Sequence, residues 1–219
     1  MIDNINLIDA EVQKGSNLII LWKDLINECF DELMSNATYI KARQIALSPA
    51  AEKLFIKRYE YDFHKLGYKI YSREELRKIG IQLDGNEGGW EYIIVPITMI
   101  VDKNINPEIL YRIQIKLRAE NLHFTTTRRP NTGKNTKSGG SGQVPYKVSE
   151  FDAVVFIRNS RNFDPIASNC KFLAIPSECL RDGNTEFCVK RINKSIENEW
   201  KEKSVIDIIV NAIKEKYGN

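Results

Sequence analysis

Hydrophobic and polar positions alternate over residues 111–118. Ile113, Ile115 and Leu117 fall on one side of an extended chain, and Arg112, Gln114, Lys116 and Arg118 on the other. Side chains of a strand point to opposite faces in turn, so the pattern predicts a strand with one apolar face. Elsewhere the spacing is helical. Leu18, Leu21, Trp22, Leu25, Ile26, Cys29, Phe30 and Leu33 predict an amphipathic helix over 17–34, with Ser16 as its cap. A second helix is predicted to start at Ser48-Pro49, to bury Leu54, Phe55, Tyr59, Phe63 and Leu66, and to end at Gly67. A short strand at 68–71 and a short helix over 72–80, stopped by Gly80, come next. Turn chemistry at Asp84-Gly85 and Gly88-Gly89 precedes a strand from Trp90 to Val95, and Pro96 marks an edge or an early end. A turn is expected at 102–106, so this strand and 111–117 should pair antiparallel. Near-continuous apolar runs at 152–157 and 171–175 predict buried strands. A short helix at 177–180, a last edge strand at 187–192 and one C-terminal helix through Ile196, Trp200, Val205 and Ile213 complete the prediction.

Together these elements predict an α/β protein with a mixed central β-sheet flanked by helices. No repeat or linker divides the 219 residues. The expectation is one domain over 1–219: an N-terminal helical segment (1–45), an α/β core (46–192) with a basic loop (128–147), and a C-terminal helix (193–219). Composition is that of an ordinary globular chain, 42% hydrophobic and 28% charged. No apolar run reaches the ~20 residues that span a bilayer. The acidic N-terminus lacks the pattern of a secretory signal. Cys29, Cys170, Cys179 and Cys188 form no CxxC pair, which disfavours a zinc site. Buried reduced thiols in a cytoplasmic protein are expected, with no membrane partner.

Net charge is only +3, but it is unevenly distributed. From Arg112 to Lys147 the cations are Arg112, Lys116, Arg118, Arg128, Arg129, Lys134, Lys137 and Lys147, against the single acid Glu120. Such a segment is either a polyanion-binding surface or a solvated basic loop. Within it, residues 130–145 are rich in Gly, Ser, Asn and Lys and carry no apolar periodicity. They read as a loop that orders on nucleic acid or as a plain insertion.

The chemistry available is narrow. There is no GxSxG, GxxxxGK[ST] or GxGxxG, so hydrolase triads, P-loops and dinucleotide sites are not indicated. His64 reads as structural, and His123 lacks the partners of a histidine-based nuclease centre. What remains is Glu91 at the start of one strand and Gln114 and Lys116 on one face of the next. A carboxylate and an amide carbonyl are suitable oxygen ligands for Mg2+. A lysine beside them can orient water or offset developing charge.

The order of these pieces resembles the PD-(D/E)XK nuclease superfamily, over about residues 48–180. SPAAEKLFIKRYEYDFHKLGYKIY is similar to its leading helix and first strand, GGWEYIIV to the strand with the first metal-binding acid, and RIQIK to the (D/E)XK strand in a QxK form. HFTTTRR, YKVSEFDAVVFI and KFLAIPSE are similar to a bacterial subgroup. The resemblance implies a restriction-endonuclease-like fold and a Mg2+-dependent deoxyribonuclease. Glu91 takes the first acid's place, Gln114 the second acid's and Lys116 the lysine's, with Glu52 as a helix acid; Glu91 and Gln114 would hold the metal. Asp84 is a rival for the first acid. Two departures stand out: Glu91 replaces the usual Asp, and Gln114 an acid. The implied activity is sequence-specific cleavage of double-stranded DNA by a type II restriction enzyme; the apolar stripes of helix 17–34 and the C-terminal helix offer surface for a homodimer, whose two-fold would match a palindromic site. A structure-specific, junction-resolving or repair nuclease and a non-catalytic DNA-binding protein of the same fold are the alternatives. Candidate DNA contacts are Arg118, Thr126, Thr127, Arg128, Arg129, Asn131, Lys134, Asn135, Lys137 and Lys147.

Overall fold

In a computed structural model, residues 19–33, 39–80, 89–99, 110–119, 126–128, 144–159 and 167–217 are described. Helices α1 (Trp22–Leu33) and α2 (Tyr39–Lys65) lead into strand β1 (Tyr68–Ser72), the short helix α3 (Arg73–Lys78) and strand β2 (Tyr92–Pro96). The central strand is β3 (Tyr111–Ala119). A small ladder, β4 (Thr127–Arg128) with β5 (Val144–Pro145), precedes β6 (Ala153–Asn159) and β7 (Lys171–Pro176). Helices α4 (Lys194–Trp200) and α5 (Val205–Tyr217) follow.

Five strands form one mixed sheet in the order β1-β2-β3-β6-β7. Only β3 and β6 run parallel. The alternation that predicted β3 sorts the sheet into two faces. Ile94, Ile113, Ile115, Val155 and Ile157 pack under α1, α2 and α5. Ile93, Val95, Val154, Phe156 and Leu173 pack on the other face with Leu76, Trp90, Tyr146, Phe151 and Leu180. The mixed α/β prediction and the antiparallel pairing of 90–95 with 111–117 agree with this arrangement.

Several boundaries differ from the sequence expectation. Helix α1 starts at Trp22, because Ile20 is drawn into tertiary bonds: its carbonyl accepts from Ala167 N at 2.7 Å and its amide donates to Ser168 Oγ at 3.3 Å. Ser16 lies outside the described residues. The second helix does not begin at Ser48-Pro49 but runs through it. An interior proline removes one amide donor from a helix, and packing of the following turns at Ala50, Ala51, Leu54 and Phe55 outweighs that loss. Gly67, at φ +83°, stands just past its end as predicted. Residues 187–192 form no strand. Cys188 N donates to Tyr146 O and Val189 N to Leu180 O, so the segment divides its bonds between two neighbours and makes isolated bridges. The single C-terminal helix is two, broken at 201–204, with Asp207 N bonded to Ser204 Oγ at 3.3 Å.

The cysteines are free, but Cys179 is exposed rather than buried. No described helix is long and apolar enough to cross a membrane. On α1 and α5, read as core or subunit-contact helices, Trp22, Leu25, Cys29, Ile209 and Ile213 are all buried within the chain.

One polar knot ties the start of β3 to β6. Asp152 Oδ2 accepts from Arg112 N at 2.7 Å and Nε at 3.1 Å, and Oδ1 from Lys216 Nζ at 2.9 Å. Arg112 Nη1 also donates to Ser149 O at 2.7 Å. Arg112 is therefore spent on the fold.

Candidate active site

Strand β2 pairs with only the first part of β3: Tyr92 faces Ile113, and Glu91 N donates to Ile113 O at 2.8 Å. From Gln114 onward, β3 is paired by β6 alone among the described residues. A gap thus opens on the β2 side of β3, and the candidate residues meet there. Gly89 sets the approach of the Glu91 segment, since a Cβ at that position would lie 2.4 Å from Glu150 Cβ.

Gln114 is buried, 2% exposed, yet polar. Its Nε2 donates to Glu91 Oε1 at 2.9 Å and to Ile115 O at 3.0 Å. Both amide hydrogens are then used, which leaves Oε1 as the atom able to ligate a cation. An amide suits this position better than an acid would. A second carboxylate here would face Glu91 across a buried contact, whereas the amide donates to it.

Lys116, two residues on, shares that face. Its Nζ bonds the Tyr146 hydroxyl at 2.8 Å. Tyr146 is itself held edge-on against Phe151, with ring centroids 5.6 Å apart. Glu52 comes from α2, on the opposite side of the sheet, and meets the others at the open edge. Burial and the charge of Glu91 push its carboxyl up to about 7, against the opposing pull of Arg73, a Ser48 hydrogen bond and Lys116. Burial and the same two carboxylates, Glu52 and Glu91, also raise the Tyr92 phenol.

Arg73 and Tyr146 are members of the site that the sequence did not reveal. The Arg73 guanidinium lies 4.5 Å from the Trp90 ring centroid and donates to the Trp90 carbonyl. Its Nε is buried and makes no hydrogen bond among the described residues. The Ser72–Glu75 capping box, present at sequence level as S-x-x-E, fixes the turn from which Arg73 projects. Tyr146 carries no such signal; its role depends on packing between distant segments.

The structure thus brings together Glu52, Glu91, Gln114 and Lys116. It does not bring all the candidate DNA contacts with them. Thr126 is buried, 1% exposed, and its hydroxyl donates to the Val189 carbonyl, so it serves the fold. Lys147 pairs with Glu186 at 2.8 Å. Arg118 is half-buried, with Nη1 on the Leu117 carbonyl at 2.8 Å. For Thr127 and Arg128 only the backbone is described, as β4. Asp84, His123, Arg129, Asn131, Lys134, Asn135 and Lys137, most of the 130–145 loop and the 102–106 turn lie outside the described residues.

Two carboxylates and an amide oxygen are hard donors of the kind Mg2+ takes. Among the described residues no group of three or more His, Cys, Asp or Glu assembles, so a cation here would rely on the Gln114 carbonyl or on water as well. Comparison with protein-family models, curated proteins and solved structures finds no match to this chain.

Proposed function

We propose that this protein is a Mg2+-dependent endonuclease that hydrolyses phosphodiester bonds of double-stranded DNA at defined sequences, in the manner of a type II restriction enzyme. The fold proposed with it is the restriction-endonuclease-like one. A leading helix, three antiparallel strands and a fourth strand parallel to the third support that assignment. The observation that carries the activity is the convergence of Glu52, Glu91, Gln114 and Lys116, from three separate elements, on the open edge of β3.

Glu91 and the Gln114 carbonyl would hold the metal, with Glu52 beside them. A bound Mg2+ supplies charge stabilisation at a phosphate oxygen and eases ionisation of water. The chain's own residues do the rest. Gln114 orients Glu91 through its amide. Repulsion between Glu52 and Glu91 favours a cation between them. Tyr146 fixes Lys116, whose charge then sits ready to offset the negative charge that develops on phosphate. Arg73, braced on Trp90, adds a second cation near Glu52.

Plasmid DNA incubated with Mg2+, and separately with EDTA, tests the reading. Discrete fragments that require Mg2+ and vanish in Glu91→Ala and Lys116→Ala are expected. Full activity in either variant would overturn the site. A second reading, a DNA-binding protein of this fold without catalysis, is favoured by one observation: both amide hydrogens of Gln114 are spent inside the site. A mobility shift with no cutting under any divalent cation would select it.

A further inference from the structure

We propose that Arg118, Arg158 and Lys171 form a binding track for the phosphate backbone of duplex DNA, running across the sheet away from the candidate active site. The identity of the polyanion rests on the nuclease reading. The track rests on register. Arg118 of β3 pairs with Arg158 of β6, which pairs with Lys171 of β7. Directly paired residues share a face, so three cations stand in one row across three adjacent strands. Neighbouring strands lie about 4.8 Å apart, so the row spans about 10 Å. It lies on the face of Gln114 and Lys116, two residues beyond Lys116, at the same end of the sheet as the gap.

Like charges directly opposite one another on adjacent strands are destabilising. The central member is held by a carboxylate: Arg158 Nη1 meets Glu197 Oε1 at 2.7 Å, with both side chains about a quarter exposed or less. Arg118 is half-buried, and burial works against its charge. Lys171 is exposed. Beside Arg158 and Lys171 opens a cavity of about 470 Å³, where Lys201 adds a cation and Glu197 and Glu202 oppose it. In the cavity lining, Arg158, Lys171 and Lys201 outnumber the two glutamates by one. Each strand of duplex DNA offers a phosphate about every 3.4 Å of helix rise, so the row is long enough to meet two or three.

The test is anisotropy titration of a labelled mixed-sequence DNA duplex, in EDTA over a salt series, with plasmid cleavage in Mg2+ measured in parallel. The variants are Lys171→Gln and Arg118→Gln/Lys171→Gln; Arg158 is left in place to keep its Glu197 pair. The double variant should bind more weakly and flatten the slope of log K against log salt by about 2, roughly one for each cation removed. Its thermal midpoint should stay level or rise, which a structural role for the row does not predict. Wild-type affinity and slope in the double variant would overturn the track, and would leave the nuclease reading standing if the plasmid is still cut. A row-dependent slope in a protein that never cuts would uphold the track and remove the nuclease. No binding by the wild type would overturn both.

Discussion

Two carboxylate sites flank β3 and are built on opposite principles. At the start of the strand, Asp152 accepts from a backbone amide, a guanidinium and an ammonium group, all between 2.7 and 3.1 Å. Two residues along the strand, at Gln114, lies the Glu52–Glu91 pair. There a carboxylate faces another carboxylate, and an amide and two cations only partly offset the repulsion. Asp152 is complete without a ligand and holds β3 to the chain preceding β6. Glu52 keeps a raised carboxyl although Arg73 and Lys116 oppose it. A buried charge with its partners in place belongs to the architecture; a crowded pair of like charges points to a site that something else completes.

The largest expected effect is on the second site. Lys116→Ala should lower cleavage 100- to 1000-fold, on the order of 3–4 kcal/mol in the barrier, with little change in folding. Single-turnover cleavage beside a thermal melt measures both. A large fall in melting temperature with proportionate loss of activity would make Lys116 another structural group like Asp152.

Next comes pH. The Glu52 carboxyl is held at about 7 in the folded state, above the ordinary 4.5. A raised folded pKa means that this stabilising contribution is complete below about pH 4.5 and is lost as pH rises through 7. Glu52→Gln should therefore melt progressively higher than wild type between pH 5 and 8, by up to about 3 kcal/mol. Mg2+ should narrow the gap, because a cation favours the ionised form that Gln cannot take. A constant difference across that range would show that Glu52 is not under this strain.

Asp152→Asn gives the smallest effect and the converse behaviour. It should cost about 2 kcal/mol, by leaving Arg112 and Lys216 without their counter-charge. Cleavage per folded molecule should not change. A specific loss of kcat with normal stability would erase the contrast between the sites.

Much of the fold was legible because the signals were local. Period-two alternation marked β3 and placed Gln114 and Lys116 on one face. Apolar runs marked β6 and β7, and Gly67 marked the end of α2. What failed was context. Ser48-Pro49 has the chemistry of a helix start, but α2 runs through it, with Ala50, Ala51, Leu54 and Phe55 buried in the turns that follow. Residues 187–192 look like a strand, yet their hydrogen bonds go to two different segments. The site was legible as candidate residue types but not as a complete set. Arg73 enters through a ring contact with Trp90, and Tyr146 through its bond to a lysine 30 residues earlier. Arg158 and Lys171 join Arg118 only through cross-strand register. None of these relations has a sequence period.

The parallel pairing of β3 with β6 also governs the timing of folding. Ile113 pairs with Ala153, and the neighbouring Arg112–Asp152 contact joins residues 40 apart. The β1–β2–β3 ladder closes shorter loops. Loop closure has to be met before distant contacts repay it. The three-stranded ladder should therefore form ahead of its parallel partner, with pulse-labelled exchange showing amides of Tyr92–Pro96 protected before those of Ala153–Asn159. The Tyr146 hydroxyl, a few residues before β6, can reach Lys116 only once that late pairing brings its segment in. A newly made chain would then carry Glu91 and Gln114 side by side before Lys116 is fixed, and competence for the proposed cleavage would be among the last properties it acquires.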